Sequence, residues 1–178
     1  MNVQTMSGPG AAALRELVLP VVVVAASDHD ETSCATSTTS YVSVRPPILC
    51  VSLVPTSRTA RMVARTGKFS VSVLADGQVD VAQRAGRPGA GPDKLAAVGI
   101  TPEQSPGPGG PPGVSGAAAV LWCEVTGEVT VGDHQVIFGQ VTAFRGAVDG
   151  TGLLLRHHRR YLGTGLPVTP AAPDGYPI

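Results

Sequence analysis

Residues 17–26 form the longest apolar run in the chain, and four consecutive valines, Val21 to Val24, dominate it. A β-branched run bounded by turn residues predicts a buried strand over Leu17 to Ala26. Asp28-His29-Asp30-Glu31 is then a polar turn, and Ser33 to Val44 is a second strand rich in Ser and Thr and only weakly apolar. Such a strand makes sense if one of its faces meets a polar ligand. Arg45-Pro46-Pro47 interrupts the chain, because proline bars helix and gives no donor to a ladder. Ile48 to Val54 is the third strand. Hydroxyls in Pro55-Thr56-Ser57-Arg58-Thr59 can cap a short helix over Ala60 to Thr66, which Gly67 ends. Lys68 to Leu74 alternates Phe69, Val71 and Val73 with Lys68, Ser70 and Ser72, a strand with one wet face. Asp76-Gly77 opens a second short helix running through Ala85.

Residues 86–113 hold eight Gly and seven Pro. That content predicts a long surface loop or lid without packed structure, save for a helical turn near Asp93 to Val98. Ala117 to Val131 and Gln135 to Phe144 follow as two long strands joined by Gly132-Asp133-His134, the spacing of a hairpin. Leu153 to Leu155 is a last short strand. The division expected is a lead-in over 1–16, one domain over 17–162 and a flexible Gly/Pro-rich tail over 163–178. Many short strands with few helices and no strand–helix alternation point to a mainly-β barrel rather than a doubly wound sheet.

Thirteen basic side chains balance thirteen acidic ones. No net field draws this chain to nucleic acid or an anionic membrane. The local basic run Arg156-His157-His158-Arg159-Arg160 reads first as a solvated patch. The ten-residue apolar run is half of the ~20 residues a membrane-spanning helix needs and contains Pro20. Cys34, Cys50 and Cys123 cannot all pair with one another, no secretory signal precedes them, and a reduced, cytoplasmic protein is expected. Cysteine and histidine spacings give no metal set, so no metal is expected.

The nucleotide and hydrolase fingerprints G-x-G-x-x-G, the Walker sequence, H-E-x-x-H and G-x-S-x-G do not occur. A cofactor site must then be built from hydroxyls and backbone N–H groups in turns. Thr36-Ser37-Thr38-Thr39-Ser40 supplies five hydroxyls in a row, and Ser57-Arg58-Thr59 at a helix start is a physically sensible anion cradle. Either feature alone is common in proteins that bind nothing.

Their order carries more. The stretch Thr36 to Leu53 resembles the central signature of the flavin reductase domain family, T-x-S-S-F/Y-x-S-V followed by a P-P-L-V-x-V-S strand. The family's S-x-T turn is matched by Ser57-Arg58-Thr59, and its G-x-F-x-V-S-V-L by Gly67 to Leu74. A glutamine and small helix correspond to Gln78 to Arg84. Cys123-Glu124-Val125, Gly132-Asp133-His134, Gly139-Gln140-Val141 and the tail Leu153 to Tyr161 resemble its remaining landmarks. The likeness spans about Leu19 to Tyr161. Two positions depart from it: Leu95 follows Asp93-Lys94 where an aromatic is usual, and Leu155 replaces a tyrosine.

The resemblance implies a homodimeric split β-barrel, Greek-key-like, that binds FMN or FAD. It implies flavin contacts from Thr36, Ser37, Thr38, Thr39, Ser40, Cys50, Val51 and Ser52. Ser57 and Thr59 would take the flavin phosphate, with charge from Arg58 or Arg84. His134 would stand near the nicotinamide of NADH or NADPH, with Arg159 and Tyr161 on its nucleotide side. The implied activity is hydride transfer from nicotinamide C4 to flavin N5 with the rings about 3–3.5 Å apart, supplying reduced flavin to a partner monooxygenase. Two other readings stay open: an FMN-retaining enzyme acting on an organic substrate, and a non-catalytic flavin- or ligand-binding barrel.

Overall fold

The structure, a computed structural model, describes residues 13–89, 91–146 and 151–164. Most of the expected lead-in and almost all of the tail lie outside the described residues. A 3-10 turn at Leu14–Glu16 leads into β1 (Leu19–Pro20), β2 (Val22–Asp28), β3 (Glu31–Ser37), β4 (Thr39–Ser43) and β5 (Ile48–Leu53). Helix α1 (Arg58–Thr66), β6 (Lys68–Val73), α2 (Val79–Ala85) and α3 (Lys94–Ala97) follow. The chain continues through β7 (Pro102–Glu103), β8 (Gly113–Val114), β9 (Ala119–Val131), β10 (His134–Arg145), β11 (Leu154–His157) and β12 (Arg160–Gly163).

Seven strands form one antiparallel sheet in the order β3-β2-β6-β9-β10-β5-β4. Strands β3 and β4 are separated by Thr38 alone, yet they lie at opposite edges of the sheet. The expected single strand Ser33 to Val44 is therefore two strands, because the chain leaves one edge and joins the other at Thr38. Backbone hydrogen bonds do not close the barrel at this seam; the Ser37 hydroxyl donates across it to the Ser52 carbonyl at 2.7 Å. The result is the split, mainly-β barrel that the sequence implies.

The valine run is buried on both faces. Val21, Val23 and Ala25 join one apolar cluster with Leu74, Ala82, Leu95 and Trp122. Val22, Val24 and Ala26 join the other with Met62, Phe69, Val71 and Ile137. A central strand covered on both sides needs apolar residues at every position, not every second one. Each fully buried valine removes enough surface from water to contribute about 1.5–3 kcal/mol. The predicted strand Leu17 to Ala26 divides around Val21: β1 pairs with β11, while β2 pairs with β3 and β6.

Helix α1 begins at Ser57, whose side chain accepts from the Ala60 N–H at 3.1 Å. It ends at Gly67, with φ of 67° and an N–H bonded to the Val63 carbonyl at 2.8 Å. Residues 86–113, expected as an unpacked loop, are instead pinned to the barrel. Leu95 and Ile100 enter the first cluster. Arg145 holds Glu103 through two N–H···O bonds of 2.6 and 2.9 Å, and Trp122 Nε1 donates to the Pro111 carbonyl at 2.9 Å. Side-chain anchors from the barrel supply the order that glycine and proline cannot. A second difference is β12: the basic run folds back on β11 as a hairpin. Among the described residues no helix is long and apolar enough to cross a membrane.

Gly139 sits on β10 against the second cluster. A Cβ there would lie 2.4 Å from Cζ of the fully buried Phe69 ring and 3.0 Å from Cβ of Cys123. Gly139→Ala is expected to destabilise the fold by about 1–3 kcal/mol as an overpacked core does. Thermal unfolding should show a midpoint lower by several degrees; an unchanged midpoint would mean the ring moves aside freely.

Candidate functional site

A cavity of about 460 Å³ lies against the seam of the barrel. Strand β3 supplies one wall through Ser33, Cys34, Ala35 and Thr36, and the end of β5 supplies the other through Ser52, Leu53 and Val54. Ser57, Arg58 and Thr59 at the start of α1 close one end; Gly86 to Gly89 and Lys94 cover another side. His134 also lines it, because β10 pairs with β5 in a register that sets Gln135 opposite Leu53. A second cavity of about 210 Å³ shares Thr36, Ser52 and His134 with the first and adds Pro20, Thr38 and Arg156. The two make one groove along the seam.

The hydroxyl run divides its work along that groove. Thr36 Oγ1 donates to the Ala82 carbonyl and so ties β3 to α2. Ser37 bridges to Ser52, and Thr39 Oγ1 donates to the Cys50 carbonyl at 2.9 Å. Ser40 is exposed, its hydroxyl donating to the Tyr41 carbonyl at 3.3 Å. Thr38 Oγ1 is the one buried side-chain polar atom without a hydrogen-bond partner among the described residues. A buried hydroxyl left bare costs about 1–3 kcal/mol, so a polar partner is missing at this point of the groove.

At the helix end, Ser33 and Thr59 hydroxyls meet at 2.9 Å, both buried. The first N–H groups of α1 lack carbonyl partners within the helix and form the positive end of its dipole. Arg58, expected to supply charge there, bonds the Gly91 carbonyl, the Pro92 carbonyl at 2.6 Å and Glu31 at 3.3 Å. Arg84 stands off the cavity, held by the Val98 and Gly99 carbonyls and by Asp80 at 2.8 Å. Arg87, which sequence reasoning passed over, lines the cavity with no ion-pair partner among the described residues.

Lys94 was also missed. It is 8 % exposed, and its Nζ donates to the Cys34 carbonyl at 2.5 Å and the Ala85 carbonyl at 2.9 Å. Burial pushes its ammonium below the usual lysine range and pushes the neighbouring Cys34 thiol up. The Asp-Lys pair after the glycines was the available signal; its aliphatic neighbours hid it. Gly89 passes so close that a Cβ would lie 2.4 Å from Lys94 Cγ.

The remaining expected residues scatter. Cys50 is half-buried on β5 and outside both cavities, and Val51 faces the second apolar cluster. His134 Nδ1 lies 2.8 Å from Asp133 Oδ1, an interaction that holds the Asp133 carboxyl below its usual range. Arg159 is on the β11–β12 turn beside a separate cavity, and Tyr161 packs against the first cluster. Arg156 reaches the groove in their place. Although no metal set was visible in the spacing, the fold brings ligand atoms of Glu16, His157 and His158 within 4.8 Å of one another. The pair of His158 Nε2 and Glu16 Oε2 at 3.1 Å accounts for much of that cluster.

The family described as flavin reductase like domain matches residues 14–165. An NADH:riboflavin 5′-phosphate oxidoreductase of Streptomyces pristinaespiralis is 32% identical over 161 residues, which cover 89% of this chain and 88% of that protein. The reductase subunit HsaB of a flavin-dependent monooxygenase from Mycobacterium tuberculosis is 30% identical over 122 residues, covering 67% of this chain and 62% of that one. The chain spans between 42% and 62% of the length of several such relatives from Rhizobium meliloti and Mycobacterium tuberculosis. The NADH:FAD oxidoreductase SgcE6 of Streptomyces globisporus shares the fold, with a TM-score of 0.80 at 20% identity over 91% of this chain and 95% of that one.

Asp93 secures the cover of the cavity. Its carboxylate accepts from the Thr32 hydroxyl at 2.5 Å and from the Ala96 N–H at 3.1 Å, and the Thr32 bond above all holds it below the usual carboxylate range. A depressed native value means the unfolded chain binds the proton more readily, so this stabilisation is full above the ordinary carboxylate value of about 4 and is lost as pH falls through the native one. Asp93→Asn should therefore lower the thermal midpoint at neutral pH, with the gap to wild type closing in acid. A gap that persists in acid would assign the loss to packing instead of charge.

Proposed function

The chain belongs to the flavin reductase like domain family, and from that premise we propose that it is an NAD(P)H:flavin oxidoreductase working along the seam groove. The bare hydroxyl of Thr38, buried in a groove that His134 also lines, carries this reading. The residues present fit a flavin. The larger cavity alone is within the roughly 300–1,000 Å³ of small-molecule sites, and it joins a helix start to a mixed polar and apolar wall. Bound there, the flavin would accept a hydride from the nicotinamide and give its electrons to a later acceptor.

The chain's own groups have separable tasks. The α1 N-terminus with Ser57 would hold the phosphate of FMN, or the matching phosphate of FAD. Arg87 would add charge there, since Arg58 is engaged with the loop. Thr38 and the Ser52 edge would meet the polar rim of the ring. His134, oriented by Asp133, would position the nicotinamide and keep water from the reacting edge. Its task is alignment, because hydride transfer depends on close approach.

A partner monooxygenase is supported by the HsaB relative, whose name makes it the reductase subunit of one. A homodimer is supported by the exposed apolar residues Tyr41, Val42, Val44, Val54, Val129 and Val131, which a second copy would cover. Three free thiols suit a reducing, cytoplasmic setting. One observation favours the second reading, a retained flavin: Arg58 and Lys94 tie the cover of the cavity down.

Purified protein should oxidise NADH or NADPH only when FMN or FAD is added. A yellow protein with slow nucleotide oxidation would favour the retained-flavin reading, and failure to bind either flavin would leave only a ligand-binding barrel. His134→Ala should reduce kcat/KM for the nucleotide by roughly tenfold to a hundredfold. Thr38→Val should weaken flavin binding by about tenfold, the equivalent of one hydrogen bond. Unaltered constants in either variant would remove that residue from the site.

A further inference from the structure

A third cavity, of about 310 Å³, opens where the β11–β12 hairpin meets the 3-10 turn. Arg15, Arg156, His157, His158 and Arg159 line it. Its apolar floor is Leu14, Leu17 and Leu19. Leu19 and Arg156 also line the cavity that holds Thr38 and His134. The basic corner is thus the continuation of the seam groove beyond His134, on the side away from the α1 N-terminus.

Among the described residues no carboxylate pairs with Arg15, Arg156 or Arg159. The one acid in the corner, Glu16, is engaged by His158 at 3.1 Å. The hairpin itself is unusual. His158 and Arg159 form its two-residue turn with φ of 47° and 64°. Turns of this kind favour Asn and Gly, and here they carry two side chains that can bind an anion. The His158 N–H donates to the Arg15 carbonyl at 3.3 Å, which brings Arg15 beside the turn. Three arginines without a paired carboxylate among the described residues, over an apolar floor, suit a ligand with an aromatic ring and a phosphate. Arginine's forked donors match a phosphate in particular.

We infer that this corner binds the adenosine end of NADPH, with Arg15 and Arg159 on the 2′-phosphate, the leucine floor under the adenine and Arg156 nearer the diphosphate. The chain then prefers NADPH to NADH. The inference rests on the reductase reading for the nicotinamide at His134. Arg15 and Arg159 are assigned the 2′-phosphate because they line only the outer cavity, whereas Arg156 also lines the one that holds His134. The flavin phosphates belong to the opposite end of the groove.

Two measurements test it. In calorimetric titration of the full chain, adenosine 2′,5′-bisphosphate should bind at least about tenfold more tightly than adenosine 5′-monophosphate, the worth of one charge-assisted hydrogen bond. The Arg15→Ala and Arg159→Ala variants should each narrow that difference. In turnover with added flavin, the ratio of kcat/KM for NADPH to that for NADH should exceed one and fall by about tenfold in either variant, whereas Arg156→Ala should lower both terms together. Equal affinity for the two adenosine phosphates, or a ratio that neither variant changes, overturns the inference. A parallel fall for both nucleotides in Arg15→Ala and Arg159→Ala also overturns it, because the corner would then hold the diphosphate. The titration needs no turnover, so it decides the corner even if the wild-type chain reduces no flavin and the reductase reading fails.

Discussion

The barrel depends on a seam that its backbone does not close. At Thr38 the chain passes from one edge of the sheet to the other, and the gap between β3 and β5 is spanned by the Ser37 hydroxyl reaching the Ser52 carbonyl. A continuous ladder there would pair every N–H and C=O and leave nothing for a ligand. An open seam exposes polar backbone and must be lined by groups that satisfy it. The run of Ser and Thr does this with short side chains. The same constraint explains why the groove lies where it does and why Thr38, at the point of crossing, is the residue left with a bare hydroxyl.

The seam also explains the buried lysine. A cavity at an open edge needs a cover, and a segment rich in Gly and Pro cannot hold itself in place. Lys94 bridges from that segment to the carbonyl of Cys34 on β3 and that of Ala85 at the end of α2. Arg58 reaches the carbonyls of Gly91 and Pro92 from the other side. Both cations therefore act chiefly as donors to backbone oxygen. Arg87 has no such duty among the described residues and lines the cavity.

What was legible in the sequence followed from local rules. The valine run, the capped helix between Ser57 and Gly67 and the hairpin around Gly132-Asp133 each obey a periodicity or a turn preference, and each stands within a few residues of its expected place. Ordered motifs made the split barrel readable as well. The rest needed three dimensions. Arg84 and Arg58 look like phosphate ligands because arginine near a helix start often is one, but carbonyls from residues distant in sequence claim them. Strand β12 was hidden because its turn uses His158 and Arg159 where Asn and Gly are usual. The order in residues 86–113 was hidden because its anchors, Arg145, Trp122 and Ser70, lie elsewhere in the chain.

A chain with equal numbers of acidic and basic side chains cannot attract an anionic cofactor through its net field. It has to do so by local placement, within the few ångströms over which salt does not screen. The groove has cations at both ends: Arg87 and a helix start at one, and Arg15, Arg156 and Arg159 at the other. Between them the wall is apolar or hydroxylated, with His134 at the midpoint shared by the two inner cavities. Two phosphate-bearing molecules entering with their rings toward the middle would each find a charge for the tail and a neutral surface for the ring. That division keeps like charges of the two ligands apart while bringing their flat ends together, as transfer between two rings requires.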